Sequence, residues 1–215
     1  MSAFESALHA RMRPLSCFDP AFLPAQLSDC SQVSDGGSAL LLCSEAGLAA
    51  SSLRASDAVE LLAVSTCTAS LYDAPEDLTR LSTCASAASS AYARAEIGAA
   101  DIDVAEVHDC FSITELMMYE ALQLCAPGSA AAMLREHATD LGGRIPVNTG
   151  GGLVGFGHPV GATGVKQVVE LWRQMKGKCG AYQLKTTPQI GVCANMGGEF
   201  GMRVKQRFVI CTSVS

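Results

Sequence analysis

The sequence predicts a layered α/β domain, because short apolar runs alternate along the chain with longer segments of helical periodicity. The chain has 215 residues, of which 49% are hydrophobic and 17% are charged. This composition supplies enough apolar surface for a buried core in a domain of this length. The apolar runs are shorter than the roughly 18 residues of a membrane helix, so we expect a globular core to bury them.

The first half of the chain predicts two strands and two helices after an irregular start. Residues 1–37 show little periodicity and end in a Ser-Asp-Gly-Gly turn signal. Apolar runs at residues 39–43 and 59–65 predict two buried strands, and a short helix is predicted between them over residues 46–54. Residues 78–97 repeat apolar side chains at helical spacing. This last segment therefore predicts a long helix that packs closely against a sheet.

The second half continues the same alternation of strands and helices. Residues 104–109 predict a strand, and a helix is predicted to follow it from Ser112 to about residue 124. Ser112 and Glu115 have the spacing of a capping box, in which an N-cap hydroxyl and an N3 carboxylate each accept a bond from a backbone N–H. The remaining predicted elements are helices over residues 129–137 and 161–175 and strands over residues 145–148, 190–196 and 203–211.

Charge and cysteine content exclude several classes of function. The net charge is -6 and no cluster of Lys and Arg stands out, so nucleic acid is not the expected partner. The ten cysteines form no Cys-x-x-Cys pair, which favours reduced intracellular thiols over a disulfide framework or a zinc knuckle. We therefore expect an intracellular soluble protein with no membrane span. The choice between a mitochondrial, a peroxisome-like and a cytoplasmic compartment stays open.

A glycine-rich segment surrounds His158. Residues 150–164 carry seven glycines, and Pro159 directly follows the histidine. Gly150 to Gly155 has the Gly-x-Gly-x-x-Gly letters of a dinucleotide-binding loop, but the next predicted helix begins only near Gly161 and no acidic residue follows at the required distance. The glycines therefore indicate backbone that approaches another group closely. The pattern favours His158 as a functional imidazole over a histidine that only fills the core.

A second candidate pair precedes the predicted helix at Ser112. His108 and Cys110 are two residues apart, so on an extended segment both side chains face the same side. The positive end of the following helix predicts a pKa for Cys110 below the ~8.5 of a free thiol. The alternatives are a capping histidine and a buried structural cysteine, whereas a zinc site is disfavoured by the His-x-Cys spacing. Cys193, before a Gly-Gly turn, is by itself more typical of a structural residue.

Three motifs taken in this order resemble the C-terminal half of a thiolase: His-Asp-Cys-Phe at 108–111, Gly-His-Pro at 157–159 and Cys-Ala-Asn-Met-Gly-Gly at 193–198. The first is typical of the sterol-carrier-protein type, where other thiolases carry Asn-Glu-Ala-Phe. The resemblance covers about residues 28–198 and implies a mixed five-stranded sheet with helices on both faces. It also implies that residues 1–54 are the truncated end of the family's N-terminal half and that residues 55–215 are its C-terminal domain.

The resemblance implies an acyltransferase reaction, either thiolysis of 3-oxoacyl-CoA or the reverse Claisen condensation through an acyl-cysteine. Coenzyme A would be a substrate, and no further cofactor is implied. His158 would activate the nucleophilic cysteine, and His108 would donate to a thioester oxygen. Cys110 would move the α-proton, and Phe111 would pack on the pantetheine arm of coenzyme A.

Two features of the resemblance leave alternatives open. Cys193 is the other candidate for the acid/base. Asn195 stands where other thiolases carry glycine. Asn195 and Gly157 would support the oxyanion hole. The family's nucleophilic cysteine lies in the N-terminal half, and Cys84 copies its local pattern only in the middle of a predicted helix. We therefore expect a homodimer or a partner chain that supplies the other half. The alternative is an inactive fragment that binds acyl-CoA or another protein.

Overall fold

The chain forms a mixed four-stranded sheet in the computed structural model, which describes residues 27–70, 77–197 and 205–213. The strands are β1 (Val59–Thr68), β2 (Val104–Glu106), β3 (Ile190–Gly197) and β4 (Lys205–Ser213), in the spatial order β1-β4-β3-β2. Both neighbours of β4 run antiparallel to it, whereas β2 and β3 are parallel. The predicted mixed sheet is confirmed, but with four strands among the described residues where five were predicted.

Six α-helices accompany the sheet within the described residues: α1 (Glu45–Ala50), α2 (Ser82–Ala95), α3 (Ser112–Ala121), α4 (Ala130–Arg135), α5 (Gly152–Phe156) and α6 (Thr163–Met175). The predicted helices are confirmed with shorter bounds, and α5 is an additional turn of helix inside the glycine-rich segment. In the part of the chain that the structure describes, no helix has the length and apolar character needed to cross a bilayer.

The two faces of the sheet are both covered, as the alternation of side chains along β3 illustrates. Val192 and Ala194 pack in one buried cluster with residues of α2 and α3. Cys193 points the other way and packs with Leu171 and Met175 of α6. Because successive side chains of a strand point to opposite faces, this division places α2 and α3 on one face and α6 on the other. The predicted helices on both faces are confirmed.

The apolar run at residues 39–43 does not form the predicted strand. In the structure these residues lie outside the described sheet, and the side chains of Leu41 and Leu42 are 81% and 67% exposed. An apolar run becomes a strand when neighbouring strands accept its backbone hydrogen bonds and bury its side chains. None of the four described strands lies beside this segment, which instead leads into α1 through the N-cap Ser44.

The predicted strand at residues 145–148 is reduced to one parallel bridge, between Val147 and Ala105 of β2. Pro146 has no N–H to donate, and Asn148 adopts a φ of 49°, which turns the chain away. The segment is nevertheless buried, with Val147 fully inaccessible. It therefore takes the position of a fifth strand beside β2 without forming a continuous ladder.

The capping box predicted at Ser112 is wrong. Phe111 occupies the N-cap position without a side-chain bond, and Ser112 is already the first helical residue. Glu115 instead accepts a hydrogen bond from the hydroxyl of Tyr119, at 2.6 Å. Phe111 is held extended because it bridges Cys30 of the N-terminal segment. The long-range bridge therefore moves the helix start one residue back from the position that the local motif predicts.

Candidate active site

The candidate site lies where the parallel strands β2 and β3 end. Glu106 pairs with Cys193 in this ladder, so two residues further on His108 comes level with Asn195. The carboxyl ends of parallel strands meet at the same edge of a sheet, which is where α/β proteins commonly bind ligands. The glycine-rich segment brings His158 to the same edge just before α6 begins.

The imidazole of His108 is buried, with 4% of the residue exposed. Its Nδ1 lies 3.1 Å from Nδ2 of Asn195. An amide nitrogen can only donate, so Nδ1 of His108 accepts and the ring proton resides on Nε2. The pKa of His108 is lowered to about 3, mainly by burial and to a smaller extent by the nearby His158. His108 is therefore a neutral hydrogen-bond donor at physiological pH.

His158 stands against His108 with the opposite arrangement of its nitrogens. The two ring centroids are 4.9 Å apart and the planes meet at 86°. Nδ1 of His158 lies 2.7 Å from Oγ1 of Thr163, whose hydroxyl donates to the carbonyl of Pro159 at 3.1 Å. With the single proton of that hydroxyl directed at Pro159, Nδ1 of His158 donates to Oγ1 and Nε2 keeps a lone pair. Burial also lowers the pKa of His158, which favours the neutral base.

The glycine-rich segment approaches the carboxyl group of Asp109. Oδ1 of this buried aspartate accepts a hydrogen bond from the backbone N–H of Leu153 at 2.7 Å. Gly152, at a φ of 63°, packs so closely on the same carboxyl group that a Cβ atom there would overlap its oxygen. Burial is the main cause that raises the pKa of Asp109. The expected close approach of glycine backbone is confirmed, and Asp109 is the group approached.

Residues 30–33 link the two histidine motifs. The N–H of Ser31 donates to the carbonyl of Cys110 at 2.8 Å, and the N–H of His158 donates to the carbonyl of Gln32 at 3.3 Å. Bridges join Cys30 to Phe111 and Val33 to His158. Sequence reasoning missed this contribution because the segment has no periodicity, and two isolated bridges leave no repeating pattern to detect.

Cys110 is partly buried, and its pKa is raised, not lowered as the sequence predicted. Burial is the largest cause, and the charge of Asp109 adds to it. Hydrogen bonds from the backbone of Phe111 and from the side chain of Thr114 oppose the shift but do not overcome it. Loss of solvent around the thiol therefore outweighs the field of the helix end. Cys110 is a protonated thiol at neutral pH, which suits a proton donor.

The other predicted site residues differ in their exposure. Cys193 is buried among Val104, Leu171 and Met175, two residues before Asn195 on the same face of β3. Its role as alternative acid/base stays a prediction. Phe111 is 47% exposed at the start of α3.

Two of the predicted supporting residues, and three residues that sequence reasoning missed, make contacts within or beside the two histidine motifs. Asn195 contacts His108 through its side chain, and Gly157, at a φ of 89°, packs against Ser34. The missed residues are Asp109, Thr163 and Asn148, whose Oδ1 accepts from the N–H of Val107 at 2.8 Å. Each lies within or beside a motif that was identified, and their roles depend on contacts with distant parts of the chain.

The sequence matches the family described as "Thiolase C-terminal domain-like" over residues 64–206, so the chain belongs to this family. It is 38% identical over 178 residues to an acetyl-CoA acetyltransferase of Methanothermobacter thermautotrophicus, covering 83% of this chain and 46% of that protein. It is 30% identical over 190 residues to the benzoylsuccinyl-CoA thiolase subunit BbsB of Thauera aromatica, covering 88% and 48%. Human sterol carrier protein 2 is 39% identical over 163 residues, covering 72% of this chain and 29% of that protein.

The chain thus spans about half the length of the first two relatives, at 46% and 48%. A solved structure with a similar fold is the Ltp2-ChsH2(DUF35) aldolase, with a TM-score of 0.60 at 19% identity over 73% of this chain and 40% of that one. The matched region lies inside the predicted C-terminal domain of residues 55–215, and the division of the chain at residue 54 stays a prediction. The resemblance to the thiolases, including those of the sterol-carrier-protein type, is confirmed.

Proposed function

We propose that this chain supplies the proton-transferring and oxyanion-stabilising half of a thiolase-type acyltransferase. The observation that carries the proposal is the pair of neutral imidazoles with opposite tautomers, one presenting an N–H and the other a lone pair at the same sheet edge. Cleaving or forming a carbon–carbon bond beside a thioester requires both a base and a donor that holds a developing enolate oxygen.

In the direction of thiolysis, the reaction assigns one step to each group. Nε2 of His158 takes the proton of the nucleophilic thiol, and the thiolate attacks the 3-oxo carbon of the substrate. The bond between carbons 2 and 3 breaks, and its electron pair becomes the enolate of the departing acyl-CoA. Nε2–H of His108 stabilises the enolate oxygen, and Cys110 gives its proton to the carbanionic carbon. The Cys110 thiolate then takes the proton of free coenzyme A, whose sulfur attacks the acyl-cysteine, and the released cysteine recovers the proton held by His158.

We further propose that the nucleophilic cysteine belongs to the other thiolase half, which packs against this one. Two observations support this. The chain matches only about half of its relatives' length. The residues 39–43, within the segment that resembles the end of the N-terminal half, leave Leu41 and Leu42 largely exposed. Apolar side chains in sequence on one exposed segment are typical of a surface that another chain covers.

An inactive fragment that binds acyl-CoA or a protein is the second candidate, and the raised pKa of Cys110 is the observation that favours it. A thiol that stays protonated is a poor nucleophile, so Cys110 does not take the role of the family's nucleophilic cysteine. In this case the histidine pair would contact a bound thioester without turning it over.

The test is the cleavage of a 3-oxoacyl-CoA in the presence of free coenzyme A. We would assay the purified chain alone and the chain fused behind the N-terminal half of the archaeal acetyltransferase that it resembles. The fusion is expected to turn over, and His158→Ala or Cys110→Ala is expected to abolish the reaction. Cys125→Ala is the matched control, because that thiol is also partly buried but lies in the loop after α3, outside the motifs of the site. Turnover that survives both site variants contradicts the proposal, and binding without turnover supports the inactive alternative.

A further inference from the structure

We propose that Asn195 is a positioning residue that fixes the tautomer of His108, so that Nε2 of this ring always carries the proton offered to a ligand oxygen. The inference rests on the proposed function for its catalytic consequence alone. The tautomer itself is a property of the chain and can be measured without a substrate.

The geometry that carries the inference begins with the register of β2 and β3. Glu106 is paired with Cys193, which brings Asn195 level with His108 at the end of the ladder. From there Nδ2 of Asn195 reaches Nδ1 of His108 at 3.1 Å, within hydrogen-bond range. Gly164 does not crowd the amide of Asn195. A Cβ atom added to Gly164 would still lie 3.5 Å from Cγ of Asn195, which is an ordinary van der Waals distance.

The second imidazole does not compete for this role. Nδ1 of His158 is engaged by Thr163, and its ring stands edge to face against His108 at 86°. Each histidine therefore has its own polar side chain at Nδ1, an amide that donates and a hydroxyl that accepts. Because the two partners differ in this way, the two rings carry their protons on opposite nitrogens. The sheet edge then holds a donor and a base made from the same residue type.

The tautomer matters because burial keeps His108 neutral. A neutral imidazole has a single N–H, and without a partner at Nδ1 both tautomers are populated. The fraction with the proton on Nδ1 offers a lone pair to an enolate oxygen and cannot stabilise it. Asn195 removes this fraction. Other thiolases carry glycine at this position. A side chain that fixes the tautomer of His108 is therefore a feature in which this sequence differs from their motif.

The experiment is a two-bond nitrogen–proton NMR spectrum of the intact chain with nitrogen-15 histidine. His108→Gln assigns the signals of this residue among the four histidines. In the unmodified chain Nδ1 of His108 is expected to resonate as an unprotonated nitrogen. Asn195→Asp, which can only accept, is expected to move the proton onto Nδ1. Asn195→Gly is expected to give averaged signals from both tautomers while it keeps the backbone N–H.

Two results would overturn the inference. One is a protonated Nδ1 in the unmodified chain, which means that the amide accepts through its oxygen. The other is a His108 spectrum that neither substitution changes. Thermal unfolding of each variant establishes that it is folded before its spectrum is interpreted, and Asn195→Gly serves if Asn195→Asp does not fold.

The activity measurement separates this inference from the proposed function. In the active fusion, Asn195→Asp is expected to lower kcat by about 10²-fold, the typical cost of losing one oxyanion donor, whereas Asn195→Gly is expected to lower it only about two- to fivefold because some of the His108 rings keep the proton on Nε2; KM should change little in both. If the fusion is inactive but the spectra are as expected, the proposed function fails and the assignment of Asn195 stands. If kcat of Asn195→Asp is unchanged while the tautomer is lost, Asn195 does not position His108 for catalysis and the inference is overturned.

Discussion

The sheet edge around His108 and the segment at residues 39–43 come from similar apolar sequence but have opposite environments. Val107 and Val147 beside the site are fully buried, whereas Leu41 is 81% exposed. The difference lies in the neighbours: β2 has β3 and Val147 on its two sides, and residues 39–43 have none of the described strands. Apolar sequence therefore indicates which residues require burial, whereas the rest of the fold determines whether they obtain it.

The largest expected effect is on the rate of thiolysis, when the site at the buried sheet edge loses His158. His158→Ala in the active fusion should lower kcat by about 10²- to 10⁴-fold, because it removes the base that the site presents. The control is His137→Ala, a histidine whose side chain is 79% exposed and pairs with Asp140. Steady-state thiolysis kinetics give both values. Equal losses in the two variants would mean that the site assignment is wrong.

The contrast in burial predicts a matching contrast in stability. Leu122→Ala in the buried core should lower the free energy of unfolding by about 2–5 kcal/mol, because it leaves a cavity under α3. Leu41→Ala, in the exposed segment, should change it by less than about 0.5 kcal/mol in the isolated chain. Urea denaturation measures both. A large cost for Leu41→Ala would show that its side chain is already buried in solution, by self-association for example.

The glycine-rich segment provides a third contrast between two glycines. Gly152→Ala should cost about 2–3 kcal/mol of unfolding free energy, because the new methyl group meets Asp109 at a φ that disfavours side chains. Gly142→Ala is the control, since nothing lies within 4 Å of its Cβ position. The same denaturation experiment compares them. Similar values for the two variants would contradict the docking of the segment on Asp109.

The last expected effect, which appears only below neutral pH, is a pH dependence of stability. Burial holds the pKa of His108 at about 3 in the folded chain, below the 6.5 of an unperturbed histidine. Between these values the unfolded chain binds more protons, so the contribution of His108 to stability is full above about pH 6.5 and is lost as the pH falls toward 3. His108→Gln should flatten this part of the Tm profile. A profile that keeps the same slope would mean that another group is responsible.

The sequence allowed much of this site to be predicted. The motifs located His108, Cys110, His158 and Asn195, and periodicity located the strand ends that carry them. The errors arose where contacts with distant residues determine the result. Desolvation reverses the direction of the pKa shift expected for Cys110, and the bridge from Cys30 moves the start of α3. Local patterns do not contain these neighbours, so no reading of one segment could have supplied them.

By itself, the sequence determined the fold class, the family and the identity of the chemical groups, because periodicity, glycine content and motif order are properties of the chain alone. The tertiary structure decided what those groups can do. The register of β2 and β3 sets Asn195 against His108, and the turn before α6 sets Thr163 against His158. These contacts assign the ring protons because a tautomer depends on the partner of each nitrogen, which only the folded chain brings into place.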